Sequence, residues 1–173
     1  MLIGEKVCLG PVLNGDMPLL FNWFDSIELV RTNGPYRPTD EAKFNQWIVA
    51  AGNDPSRVLF AIRRQGDLRL LGHVHLSAIH PVIRSAELGI TIGASADRGQ
   101  GYGGEAISLA VAFCWRELNL QRVSLAVLSN NPDARRVYER AGFQAEGLLR
   151  RAAFADGGFR DVTIMAILRP DAA

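Results

Sequence analysis

Cysteine is scarce in this chain, and so is any surplus of charge. Only Cys8 and Cys114 occur among 173 residues. Each lies inside an apolar pattern, which fits two buried thiols in a reducing cytoplasm better than a disulfide framework or a zinc site. Nineteen Lys and Arg stand against eighteen Asp and Glu, a formal net charge of +1. No whole-protein field therefore argues for nucleic acid or a membrane surface, and the expected partner is small. Residues 1–10 include Glu5 and Lys6 and no long apolar run, so neither a signal peptide nor a spanning helix is expected. Repeats, low-complexity tracts and linkers are lacking as well. With 48% hydrophobic residues, the chain is long enough for one substantial core and short for two, so 1–173 is expected to be a single domain.

What is abundant is glycine in one place. Gly99, Gly101, Gly103 and Gly104 fall within Arg98–Gly104 and run into an apolar helical pattern beginning at Glu105. Without Cβ atoms the backbone can take positive φ and bring its N–H groups close to a ligand, while the helix behind contributes its positive dipole end. This arrangement suits an anion, most naturally a phosphate, although an ordinary glycine-rich turn has the same composition. The segment has no lysine and Ser/Thr pair of a nucleoside-triphosphate loop. Nor is it spaced as Gly-x-Gly-x-x-Gly, so both standard nucleotide motifs are excluded.

Taken in order, Val7–Val12 reads as a strand, Asn14-Gly15-Asp16 as a turn or cap, and Met17–Phe24 as a helix. The loop Asn33–Pro38, with two prolines and a glycine, interrupts helical structure until Thr39 or Asp40 caps a second helix. Val58–Ile62 and Leu70–Ile79 read as antiparallel strands. Strict alternation on the second puts Leu71, His73, His75, Ser77 and Ile79 on one face, where they could line a cleft, opposite Leu70, Val74, Leu76 and Ala78. Ala86–Gly93 is a strand in which Gly89 and Gly93 mark a bulge or a close approach and could let it splay from the later strand Val123–Leu128. The order strand, glycine loop, helix, strand is that of a parallel crossover. A helix opening at Asn130-Asn131-Pro132 stops at Gly142, and Leu148–Phe154 with Phe159–Leu168 forms a closing hairpin.

Arg98, Gly101 and Gly103 match the Arg/Gln-x-x-Gly-x-Gly/Ala loop of the GCN5-related N-acetyltransferases (GNAT). Asn131, Ala134, Tyr138, Glu139, Gly142 and Phe143 match that family's Asn-x-x-Ala-x-x-x-Tyr-Glu-x-x-Gly-Phe helix. Ala86-Glu87-Leu88-Gly89, with Glu146-Gly147 and Asp156-Gly157, is similar to the branch containing ribosomal-protein alanine N-acetyltransferases and small-molecule relatives. The resemblance covers essentially the whole chain. It implies an α/β (α+β) fold: a mixed, mostly antiparallel sheet with a central splayed parallel strand pair and helices on both faces. The implied activity is transfer of an acetyl group from acetyl-CoA, as acyl-donor substrate, to a primary amine on a protein N-terminus or a small molecule. The rival is a catalytically silent acyl-CoA-binding sensor or partner module of the same fold. The first helices and the final hairpin, which shape the acceptor side in this family, carry no motif that names the acceptor.

The resemblance also implies residue roles. Ile92, Arg98, Gly99, Gly101, Tyr102, Gly103, Gly104, Asn131 and Ala134 are expected on the coenzyme. Tyr138 is expected to protonate the departing thiolate, and Glu87 to accept the acceptor's proton once burial has adapted its carboxyl to that task. Structural alternatives stand beside these roles: a solvated loop arginine for Arg98, an N-cap or turn asparagine for Asn131, a core tyrosine with a satisfied hydroxyl for Tyr138, and an ion pair with Arg84 or another cation for Glu87. His73 and His75 share a face but have no motif and no third ligand, so no metal is expected, and His75 or water is the next candidate base. Asp25, Glu28, Asp40 and Glu41 are the carboxylates available to a polyamine.

Overall fold

The computed structural model describes residues 1–32 and 34–171; Asn33, the first residue of the unassigned loop, lies outside them. Period-2 apolar runs become strands and 3.6-period runs become helices. In chain order these are β1 (Leu2–Ile3), β2 (Val7–Gly10), α1 (Met17–Phe24), α2 (Ile27–Val30), α3 (Glu41–Asn53), β3 (Val58–Arg64), β4 (Leu70–His80), β5 (Ser85–Ile92), α4 (Tyr102–Arg116), β6 (Arg122–Leu128), α5 (Pro132–Arg140), β7 (Gln144–Ala155) and β8 (Gly158–Leu168). The strands form one sheet in the order β1-β2-β3-β4-β5-β6-β8-β7. Only β5 and β6 run parallel, joined through α4, and the return strand β8 inserts between β6 and β7.

Helices cover both faces. On one, α4 buries Ala106, Ile107, Ala110, Val111 and Cys114 against Val7, Leu9, Ile62, Val74, Leu76, Leu88, Val123 and Met165. Each large aliphatic side chain buried this way contributes about 1.5–3 kcal/mol. On the other face, Leu20 of α1 and Phe44 of α3 pack on Ala61 and Leu70. Asp40 caps α3 by accepting from the Lys43 amide at 2.8 Å. Gly142, at φ +94°, ends α5 as expected.

Strict alternation fails on β4. Between Ile62 and Arg63 the β3–β4 register shifts, so that Arg63 faces Leu70 and Ile62 faces Gly72. The extra residue moves Leu70 to the α1/α3 side and Leu71 to the α4 core, the reverse of the sequence reading. A second irregularity between Ser77 and His80, with Ala78 at φ +50°, returns Ile79 to the α4 side. The two β5-region glycines mark close approaches rather than bulges. A Cβ on Gly89 would meet the His75 ring, and one on Gly93 the Trp23 indole. The strand read from Phe143 and the hairpin arm read from Leu148 are one strand, β7, beginning at Gln144; Asp156 and Gly157 turn the hairpin, both at positive φ.

Candidate active site

The glycine loop takes the conformation that its composition demands. Gly99 lies at φ +74° and Gly101, the N-cap of α4, at φ +86°. No atom comes within 4 Å of a Cβ built on Gly99; on Gly103 and Gly104 the nearest lie at 3.7 Å (Ile92) and 3.9 Å (Val137). Among the described residues, the amides of Gly99, Gln100 and Gly101 donate to no protein acceptor. The first-turn amides of α4 beyond them have no intrahelical acceptor. The result is an open cradle of donors with a helix dipole behind it, suited to a pyrophosphate.

Neighbouring side chains hold the cradle in place. Asp97, just before the loop, is buried and takes a bidentate pair from Arg69 at 2.6 and 2.9 Å, which holds its carboxyl below the usual range. Arg98 spends its donors on Gly93 O (2.9 Å), Ile92 O (3.4 Å) and Glu28 (2.8 Å), so its guanidinium ties the end of β5 to α2. Tyr102 and Ile92 are half-buried against the α4 core. Two residues that the sequence did not single out also converge here. Lys6 Nζ donates to Gln100 O at 3.2 Å and would lie 3.1 Å from a Gly101 Cβ. The Glu105 carboxylate accepts from the backbone amides of Glu5, Lys6 (2.8 Å) and Val7 (3.2 Å). No short-range pattern marks either, since these contacts join residues about a hundred positions apart.

Beside the cradle the sheet forks. β5 pairs with β6 only through Ser85–Arg122, Ala86–Val123 and Glu87–Ser124. Beyond Glu87, the Leu88–Ile92 segment remains laddered to β4 but has no strand partner on its β6 side among the described residues. A cavity of about 250 Å³ occupies the fork, lined by His75, Ser77, Glu87, Ser124 and their neighbours. Glu87 is exposed, so the burial expected to adapt its carboxyl as a base is absent. The alternative pairing with Arg84 is absent too, because Arg84 donates to Asn119 instead.

Tyr138 of α5 is 8% exposed, with its ring 6.0 Å from that of Phe143. Burial pushes its phenol up to about 12, and its hydroxyl has no hydrogen-bond partner among the described residues. Asn131 caps α5 by accepting from the Ala134 amide at 3.2 Å.

A larger cavity, about 630 Å³, lies on the α1/α3 side, with Gly89, Ile90 and Thr91 of β5 in its lining. Trp23, Phe24, Phe44, Trp47 and, from the unassigned loop and its edge, Gly34, Pro35, Arg37 and Thr39 contribute to its walls. Tyr36 anchors that loop by donating to Asp25 at 2.7 Å. His73 and His75 open onto this space with their rings stacked 6.0 Å apart. Burial, with His75 adding to it, brings His73 down to about 4. Burial and nearby Arg57 lower His75, so both rings are neutral at pH 7. His75 lines both cavities, and its buried Nδ1 has no hydrogen-bond partner.

A family model described as an acetyltransferase (GNAT) domain matches residues 6–144. The chain belongs to the GNAT acetyltransferase family. It is 35% identical over 151 residues to a probable N-acetyltransferase, YjcK, of Bacillus subtilis, covering 87% of this chain and 83% of the relative. It is 31% identical over 159 residues to a spermidine N(1)-acetyltransferase of Vibrio cholerae, covering 91% and 84%. Among solved structures, a Vibrio cholerae spermidine N-acetyltransferase in complex with CoA and spermine superposes with a TM-score of 0.88 at 27% identity, covering 94% of this chain and 95% of that one. As a GNAT member the chain is an N-acetyltransferase, with acetyl-CoA as its acyl donor. Among the described residues no group of three His, Cys, Asp or Glu side chains is placed to hold a metal ion, and no helix is long and apolar enough to cross a membrane.

Proposed function

We propose that this GNAT chain passes the acetyl group of acetyl-CoA directly to a primary amine in a ternary complex at the β5–β6 fork. The observation that carries the reading is the end of the β5–β6 ladder at Glu87–Ser124, beside a loop of unpaired glycine amides. The loop amides and α4 hold the pyrophosphate, with Lys6 as an added cation, Ile92 and Tyr102 beside it, and Asn131 and Ala134 opening α5 along the pantetheine arm. Arg98 acts by positioning the end of β5. The free N–H edge of Leu88–Ile92 stabilises the thioester oxygen as it gains charge. The amine nitrogen forms the C–N bond and the C–S bond breaks. The departing thiolate takes its proton from Tyr138, and the acceptor's proton leaves through Glu87, directly or by a water. His75 is the second candidate base, favoured by its unpartnered Nδ1.

In this reading a silent binding module would have no use for a proton donor at the coenzyme sulfur. Residues 1–173 act as one domain in this reading. Two buried free thiols suit a reducing cytoplasm. The acceptor is a small-molecule amine or a protein N-terminus. The test is thiol release from acetyl-CoA across a panel of both amine classes, with Gly101→Val as control. That substitution places a β-branched residue at φ +86° beside Lys6 and is expected to abolish coenzyme binding in a chain that still shows folded circular dichroism. Unchanged calorimetric affinity in the folded variant would overturn the placement.

A further inference from the structure

We infer that the acceptor is a small monoamine on an apolar, aryl-alkyl body rather than a polyamine, a substrate class that rests on the acetyltransferase reading above. The larger cavity carries the inference. Its walls include Trp23, Phe24, Phe44, Trp47, Ile48 and Leu59, and among the described residues no Asp or Glu lines it. The four carboxylates nearest in sequence are not among its lining residues. Three of them are engaged: Asp25 accepts from Tyr36, Glu28 pairs with Arg98, and Asp40 caps α3 and pairs with Lys43.

The charge that does line the cavity has the wrong sign for a polycation. Arg37 is the one cation among the described lining residues, and both histidines there are neutral. The ring faces can stabilise one ammonium before it loses its proton to become the nucleophile. A second or third ammonium would be desolvated with no counter-charge. An apolar body gains from the same surroundings, because it displaces water from indole and phenyl faces. The position also suits an acceptor, since Gly89, Ile90 and Thr91 line the cavity from the part of β5 that has left β6. A relative named for spermidine shares this chain's fold, but the cavity lining here offers a polyamine no counter-charge among the described residues.

The test compares kcat/KM for 2-phenylethylamine, spermidine and a short peptide with N-terminal phenylalanine at saturating acetyl-CoA, followed by free-thiol release. Phenylethylamine is expected to exceed spermidine by about 100-fold or more and to exceed the peptide. Trp47→Ala, at a half-exposed wall position that a folded chain can lose, is expected to raise KM for phenylethylamine by about 10-fold while KM for acetyl-CoA stays constant. Spermidine matching or beating phenylethylamine would overturn the acceptor class and leave the acetyltransferase reading standing. Preference for the peptide would overturn the small-molecule assignment, and an unchanged KM in Trp47→Ala would overturn the role of the cavity. No thiol release with any amine, while acetyl-CoA binds, would overturn both readings.

Discussion

Tyr138 combines three properties in one side chain: a buried ring, a phenol pushed up to about 12, and a hydroxyl without a protein partner among the described residues. Like any phenol it keeps its proton through the neutral range, as a donor to a thiolate must. Tyr138→Phe is expected to lower turnover by about 10²-fold with coenzyme affinity nearly unchanged; near-normal turnover with chemistry rate-limiting would return it to the core. In the proposed reading Glu87 takes the complementary part. Glu87→Gln keeps its shape and removes its basicity, so kcat/KM should fall, lose the wild-type acidic limb, and recover partly at high pH where free amine is abundant. If rate and profile both persist, His75 or water takes the role. At this scale, legibility follows sequence distance. Asn131, Tyr138 and Gly142 could be read because one helix fixes their spacing, and Gly99 and Gly101 because only certain residues tolerate their φ. Lys6, Glu105 and the Trp23 contact with Gly93 could not, because folding brings them together from distant segments.

Among the elements, the longer helices match their sequence patterns, with α1 spanning Met17–Phe24 as read and α4 following its glycine loop, whereas the one-turn α2 was not read. β4 does not, because one extra residue opposite Ile62 and Arg63 exchanges the faces of Leu70 and Leu71. A bulge adds no distinctive residue type, so hydrophobic alternation cannot announce it when both faces of a strand are covered. The start of α1 depends on a contact equally invisible in sequence. Asp16 takes Arg63 of β3 at 2.6 and 3.1 Å and the Leu13 amide at 2.7 Å, with both charged side chains 9% exposed. Removing one partner of a buried pair strands the other, so Asp16→Ala should cost about 3 kcal/mol or more, read as a lower urea midpoint. Because α1 supplies Leu20, Trp23 and Phe24 to the large cavity, the same variant should raise KM for the amine more than for acetyl-CoA. An unchanged midpoint would show that the pair contributes nothing net.

The whole molecule divides its labour across the sheet. Beside the fork lie α4, the glycine loop and α5, the donor half of the proposed reading, while α1, α3 and residues of the Gly34–Thr39 stretch line the larger cavity proposed for the acceptor, with β5 belonging to both. The glycine loop was readable because positive φ sets a backbone requirement that only a few residues meet. The larger cavity was not, because an apolar cavity uses the same residue types as any core. This division requires that donor and acceptor meet at β5 with no acyl-enzyme between them, and both cysteines are buried, Cys114 with its thiol pushed up to about 12. The measurement that tests this most directly is an initial-rate grid varying acetyl-CoA against amine. Direct attack in a ternary complex predicts intersecting double-reciprocal lines and no acetylated protein by mass spectrometry. Parallel lines, with an acetyl group trapped on the chain when acetyl-CoA is supplied alone, would contradict it.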